Sequence, residues 1–142
     1  MRLLLLCLTF PTAALAWEFT PNPVCTLSHQ SDEAALVITY DSAGPLYQLD
    51  LTLTGENWAD SPTFGMAFAG GQELSIGTGR HVIAGDTLTV TDSGFGNVLN
   101  GLEFNSRVLS FTADRGVEFS LEGAPPEVRK FRDCMVDPSL SS

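Results

Sequence analysis

Ala34-Ala35-Leu36-Val37-Ile38-Thr39-Tyr40 is a short run of strand-forming residues that stops at Asp41-Ser42-Ala43-Gly44-Pro45, a turn punctuated by Gly and Pro. Beyond the turn, Tyr47, Leu49, Leu51 and Leu53 alternate with Gln48, Asp50, Thr52 and Thr54. Successive side chains of a strand point to opposite faces, so this period of two describes a strand with one buried and one wet face. The two runs therefore predict an antiparallel hairpin and a β-rich core.

The same rhythm extends in the C-terminal direction. Phe64, Met66 and Phe68 alternate up to Gly70-Gly71, and Leu74 and Ile76 continue the pattern, which predicts a second hairpin. Glycine supplies the positive φ that such turns require. Val82-Ile83 and Leu88-Thr89-Val90-Thr91 flank a further turn at Ala84-Gly85-Asp86, giving about six strands by Thr91. Asp92 to Asn105 breaks the rhythm: Phe95, Val98, Leu99 and Leu102 have helical spacing, while Gly94, Gly96 and Gly101 weaken a helix. A loop with one or two helical turns is the expectation. Leu109, Phe111 and Ala113, then Asp114-Arg115-Gly116, then Val117, Phe119 and Leu121 suggest a last hairpin, although residues 106–113 also fit a helix. Pro125-Pro126-Glu127 opens a helix whose Val128, Phe131 and Met135 share a face beside Cys134. Arg129, Lys130 and Arg132 are expected to point outward near its C-terminal end, where positive charge is favoured. The fold class is thus mainly β: a single antiparallel β-sandwich or barrel-like domain over 17–136 with a short C-terminal helix.

Residues 1–16 stand apart. One arginine, the apolar run Leu3 to Phe10, and the small-residue end Ala14-Leu15-Ala16 have the form of a secretory signal peptide cleaved after Ala16. The run is far shorter than the about 20 residues of a membrane-spanning helix. Without it, 126 residues remain, and residues 137–142 are expected to form a flexible tail. Cys7 leaves with the signal, and an exported chain retaining Cys25 and Cys134 most simply joins them in one disulfide. Periplasmic or secreted placement follows.

The 142-residue chain carries 17 Asp+Glu against 7 Lys+Arg, a formal net charge of −10, and loses Arg2 with the signal. Between Trp17 and Leu121 only Arg80, Arg107 and Arg115 are basic, so the acidity belongs to the β body. Such a charge repels phosphate backbones, which argues against nucleic-acid binding and favours a basic protein or an envelope component as partner. A DNA-repair nuclease or ATPase role has no support either, because a phosphate loop ends in Gly-Lys-Ser/Thr and the sole lysine, Lys130, sits in Arg129-Lys130-Phe131.

Several segments carry a family resemblance. Trp17-Glu18-Phe19, Cys25, Arg80-His81, Gly94-Phe95-Gly96-Asn97-Val98-Leu99, and Phe119-Ser120-Leu121-Glu122-Gly123-Ala124 leading to Phe131-Arg132-Asp133-Cys134 resemble a group of small exported proteins of alphaproteobacteria. The likeness covers nearly all of the chain beyond the signal, and it implies export without implying a particular activity. The strand-Gly-helix-Cys ending is also similar, more faintly, to that of invasion-associated locus B proteins, which are exported as well.

Residues able to do chemistry are sparse. His29 and His81 are the two histidines, and neither lies near a Gly-x-Ser-x-Gly nucleophile turn. No Cys-x-x-Cys, His-x-x-x-His or calcium-loop spacing occurs, so no metal, no cofactor and no catalytic set is assigned. Glycines, amides and carboxylates cluster at 92–105, which makes this segment the first place to look for a site, with the Arg80-His81 pair beside it. Arg80, His81, Asp92, Asn97, Asn100 and Glu103 are the candidate ligand-binding residues, since amides beside turn glycines permit close approach of a polar ligand. The sequence favours a non-catalytic exported binding protein; the alternative is a small periplasmic hydrolase using His81 with a nearby Ser or Asp.

Overall fold

The computed structural model describes residues 16–44 and 46–136. All but Ala16 of the expected signal segment, Pro45 of the first turn, and the expected tail lie outside the described residues. The elements in chain order are β1 (Glu18–Thr20), β2 (Cys25–Gln30), β3 (Ala34–Asp41), β4 (Leu46–Leu53), β5 (Phe64–Ala69), β6 (Leu74–Thr78), β7 (Val82–Ala84), β8 (Thr87–Asp92), α1 (Gly96–Glu103), β9 (Arg107–Phe111), β10 (Gly116–Ser120) and α2 (Ala124–Val136).

Ten strands form two antiparallel sheets, ordered β1-β2-β3-β4-β8-β7 and β10-β9-β5-β6. The opening hairpin is β3–β4, with Leu36 opposite Leu51 and Ile38 opposite Leu49. Those four side chains are buried, while their outward neighbours Val37, Thr39, Gln48 and Asp50 are half-buried. Phe64, Met66 and Phe68 of β5 and Val117 and Phe119 of β10 supply the facing layer, and both inner faces join one hydrophobic cluster. The sheets do not close into a barrel; the molecule is an open sandwich.

The β5–β6 hairpin turns as expected through Gly70, whose φ of +94° is one that residues with a Cβ rarely adopt. The neighbouring Gly71 serves a different purpose. A Cβ there would sit 2.0 Å from the Phe104 carbonyl oxygen, so the turn packs backbone to backbone against the end of α1. Asn105 completes the junction by donating from Nδ2 to the carbonyls of Gln72 (2.9 Å) and Gly101 (3.0 Å).

Three expectations need correction. Eight strands, not about six, are complete by Asp92: β1 has three residues, and β2 reads Cys-Thr-Leu-Ser-His-Gln, in which a histidine occupies an inward position. Residues 107–111 form a strand, but with its faces opposite to the simple apolar alternation. Val108 and Ser110 are buried, and Leu109 (40% exposed) and Phe111 (37%) point outward. The stronger partners set this phase, because pairing places Val108 beside both Phe68 and Phe119, with all three turned into the core. Finally, Arg129, Lys130 and Arg132 lie in the middle of α2, whose last turn holds no basic residue.

Helix α2 buries Val128, Phe131 and Cys134 and closes the end of the six-stranded sheet formed by β1 and β2. The Cys25–Cys134 disulfide, with Cα atoms 6.0 Å apart, ties it there. A disulfide is consistent with an extracellular or periplasmic protein. No helix among the described residues is long and apolar enough to cross a membrane.

Candidate functional site

A cleft between the two sheets is lined by β6, the edge of the four-stranded sheet, by β8, the neighbour of the edge strand β7, and by the start of α1. It has a volume of about 540 Å³, within the roughly 300–1,000 Å³ of small-molecule sites. Its floor is apolar: Leu49, Phe64 and Met66 from the strands, with Ile76, Val90, Phe95 and Val98 around them. Its rim is polar, formed by Thr78, Arg80, Asp92 and Asn97.

Each rim residue has a local reason for its position. Arg80 belongs to the connector that leaves the four-stranded sheet after β6 and enters the other as β7; its N–H donates to the Thr78 hydroxyl at 3.0 Å. Asp92 ends β8, and its Oδ1 accepts from the Ser93 N–H at 2.6 Å. The Arg80 guanidinium reaches the other oxygen, Oδ2, at 3.8 Å, with the arginine side chain 84% exposed and the aspartate 42%. An exposed pair at that distance contributes little stability.

Gly94 and Gly96 border the mouth, and an added Cβ at either would meet nothing within 4 Å. Neither has positive φ. The fold therefore imposes no steric demand for glycine at these two positions, and their lack of side chains keeps the entrance low. Between them, Phe95 is buried and stacks on Tyr47, with ring centroids 5.2 Å apart. Burial pushes the Tyr47 hydroxyl's pKa up, repulsion from Tyr40 adds to the effect, and the nearby Arg132 opposes it.

Of the six candidate residues, Arg80, Asp92 and Asn97 come together on this rim. Asn100 and Glu103 project from the α2-facing side of α1. There Arg132 donates from Nε to the Glu103 carboxylate at 2.9 Å and from a terminal nitrogen to Asn100 Oδ1 at 2.8 Å. These two bonds clamp the helices together and leave the cleft untouched. His81 lines a separate, shallower hollow of about 340 Å³ with Asp60, Ser61, Pro62 and Ile83. Its Nε2 lies 2.8 Å from the Ser61 carbonyl oxygen, which can only accept, so Nε2 carries a proton. Its Nδ1 is buried without a partner, and the Ser61 hydroxyl donates to the Thr63 carbonyl at 3.0 Å, away from the imidazole.

The apolar floor escaped sequence reasoning because Phe64, Met66 and Leu49 read as ordinary core in any alternating strand. Gly94-Phe95-Gly96 was the one visible signal of an entrance. Among the described residues, no three His, Cys, Asp or Glu side chains gather as a metal site would require. No protein-family model, curated protein or solved structure matches the chain. Fold and cleft alone therefore define its class: an open, disulfide-tied antiparallel sandwich with a ligand-sized cleft between its sheets.

Proposed function

We propose that this is an exported binding protein, periplasmic or secreted, that holds a small molecule with an apolar body in the inter-sheet cleft without transforming it. The observation that carries this reading is the combination of an apolar floor with a short polar rim in a volume suited to one small ligand. The signal-like segment 1–16, the disulfide and the resemblance to exported alphaproteobacterial proteins support the placement outside the cytoplasm.

The test is native mass spectrometry of the mature chain purified from its own envelope fraction. A co-purifying small molecule is expected, lost in Val90→Trp, in which an indole occupies the cleft. Gly96→Trp, placed where the backbone has room, is the second blocking variant. Retention of the molecule by both folded variants would place binding elsewhere.

A second reading is favoured by the charge distribution. Arg80, Arg115, Lys130 and Arg132 are already paired with carboxylates, while Asp32, Asp60, Glu73, Asp86 and Glu118 are exposed. The acidic β body would then dock on a basic envelope protein, and pull-down at low salt should weaken steeply as ionic strength rises. The hydrolase alternative predicts that His81→Ala abolishes turnover of an ester, amide or glycan at unchanged melting temperature. With the proton on Nε2 the base would be Nδ1, and that atom is buried with no hydroxyl or carboxylate partner, which weighs against the role.

A further inference from the structure

We infer that the cleft selects single-chain amphiphiles with an anionic head, of the alkyl carboxylate type, and that Arg80 receives the head; this rests on the cleft being the binding site. Among the described residues, Arg80 is the only cationic side chain lining the cleft. It is poorly committed to its present partner, since 3.8 Å is too long for a hydrogen bond and the side chain is 84% exposed. Asp92, by contrast, has an independent donor in the Ser93 N–H at 2.6 Å, so it stays satisfied when Arg80 turns away.

That asymmetry settles which end of the ion pair can be lent to a ligand. A carboxylate entering beside Arg80 gains a bidentate, charge-assisted partner at little cost. A cationic head would instead have to bind Asp92 while leaving Arg80 unpaired beside it. Behind the rim, Ile76, Phe64, Met66 and Leu49 form an apolar floor whose one side-chain heteroatom is the Met66 sulfur. A flexible alkyl chain suits such a floor, because every methylene taken from water adds to binding and the chain has no polar atom that needs a partner there.

The experiment is calorimetric titration of the mature protein with decanoate, decyltrimethylammonium and decanol, each below its micelle concentration. One decanoate is expected to bind per chain, at least tenfold tighter than the cationic probe. Arg80→Gln should reduce decanoate affinity about tenfold or more while leaving decanol unchanged, and Arg80→Lys should retain most of it. Tighter binding of the cation, lost in Asp92→Asn, would overturn the anionic head while keeping the cleft. Equal affinity for all three probes would overturn the role of Arg80. Binding of decanoate that survives intact in both Val90→Trp and Gly96→Trp would overturn the cleft itself, with the Tm of each variant showing that it is folded.

Discussion

His29 shows how one inward-facing polar residue is accommodated in this core. It occupies the third inward position of β2, after Cys25 and Leu27. Its ring lies parallel to that of Trp17 at 4.5 Å (7° between planes) and edge-on to Phe119 at 5.8 Å. Trp17 is itself fixed, with Nε1 donating to the Ser120 carbonyl at 2.8 Å. Burial lowers the His29 pKa from 6.5, outweighing the upward pull of the Ala16 carbonyl, a pull that a chain beginning at Trp17 no longer has. The unfolded chain then binds more protons than the native state between the lowered value and 6.5, so stability rises with pH across that window. The contribution is complete above about 6.5, is lost as pH falls through the window, and stops changing once both states are protonated. Urea midpoints should therefore drop between pH 7.5 and pH 5.5 in the native protein. In His29→Phe, which keeps an aromatic ring in the stack, that drop should shrink; an unchanged drop would assign it to other groups.

At the scale of elements, α1 is held by what it packs on more than by its own sequence. Phe95 at its N-cap makes no side-chain capping bond, and none of its first-turn residues is acidic. Gly101 lies buried in its second turn, where an added Cβ would sit 2.5 Å from the Phe68 ring. Two effects compete in Gly101→Ala: helix propensity gains about 1 kcal/mol, and overpacking costs about 1–3 kcal/mol. Because the ring belongs to a paired central strand, the second should win, with a net loss of up to about 2 kcal/mol in urea unfolding. Combining it with Phe68→Leu should recover part of the loss, and strict additivity would show that the two residues do not meet. This contact explains what was legible and what was not. The strands β3 to β8 could be read from Leu49, Leu51, Phe64 and Phe68, since period two is local. The phase of β9 could not, because Ser110 is buried and Phe111 exposed through pairing with strands far away in sequence. The cleft was half legible for the same reason. Asp92 and Asn97 drew notice as polar groups among glycines, but nothing in the chain announced that Asn100 and Glu103 turn to Arg132 instead.

The whole molecule is closed by its two ends. Helix α2 meets β1 and β2 through three devices: the Cys25–Cys134 bond across 109 positions, the Glu127 carboxylate accepting the Phe19 N–H at 3.0 Å, and burial of Val128 and Phe131. Chain entropy assigns a closure of that length about 4–5 kcal/mol, acting on the unfolded state. A half-buried hydrogen bond to a carboxylate contributes about 1.5–3 kcal/mol, and it persists when the sulfurs are removed. The covalent link should therefore dominate stability while the packing alone still specifies the docked helix. Cys25→Ala/Cys134→Ala is expected to remain folded with unchanged near-ultraviolet circular dichroism and a Tm lower by on the order of 10 °C or more. The cleft lies between β6 and β8, away from this end, so decanoate affinity in the double variant should stay within about twofold of the parent's. A Tm shift below about 3 °C would show that Glu127 and the apolar face of α2 close the molecule without the disulfide. Loss of ligand binding in a folded double variant would show instead that the two ends of the sandwich are coupled through the Arg132 clamp on α1.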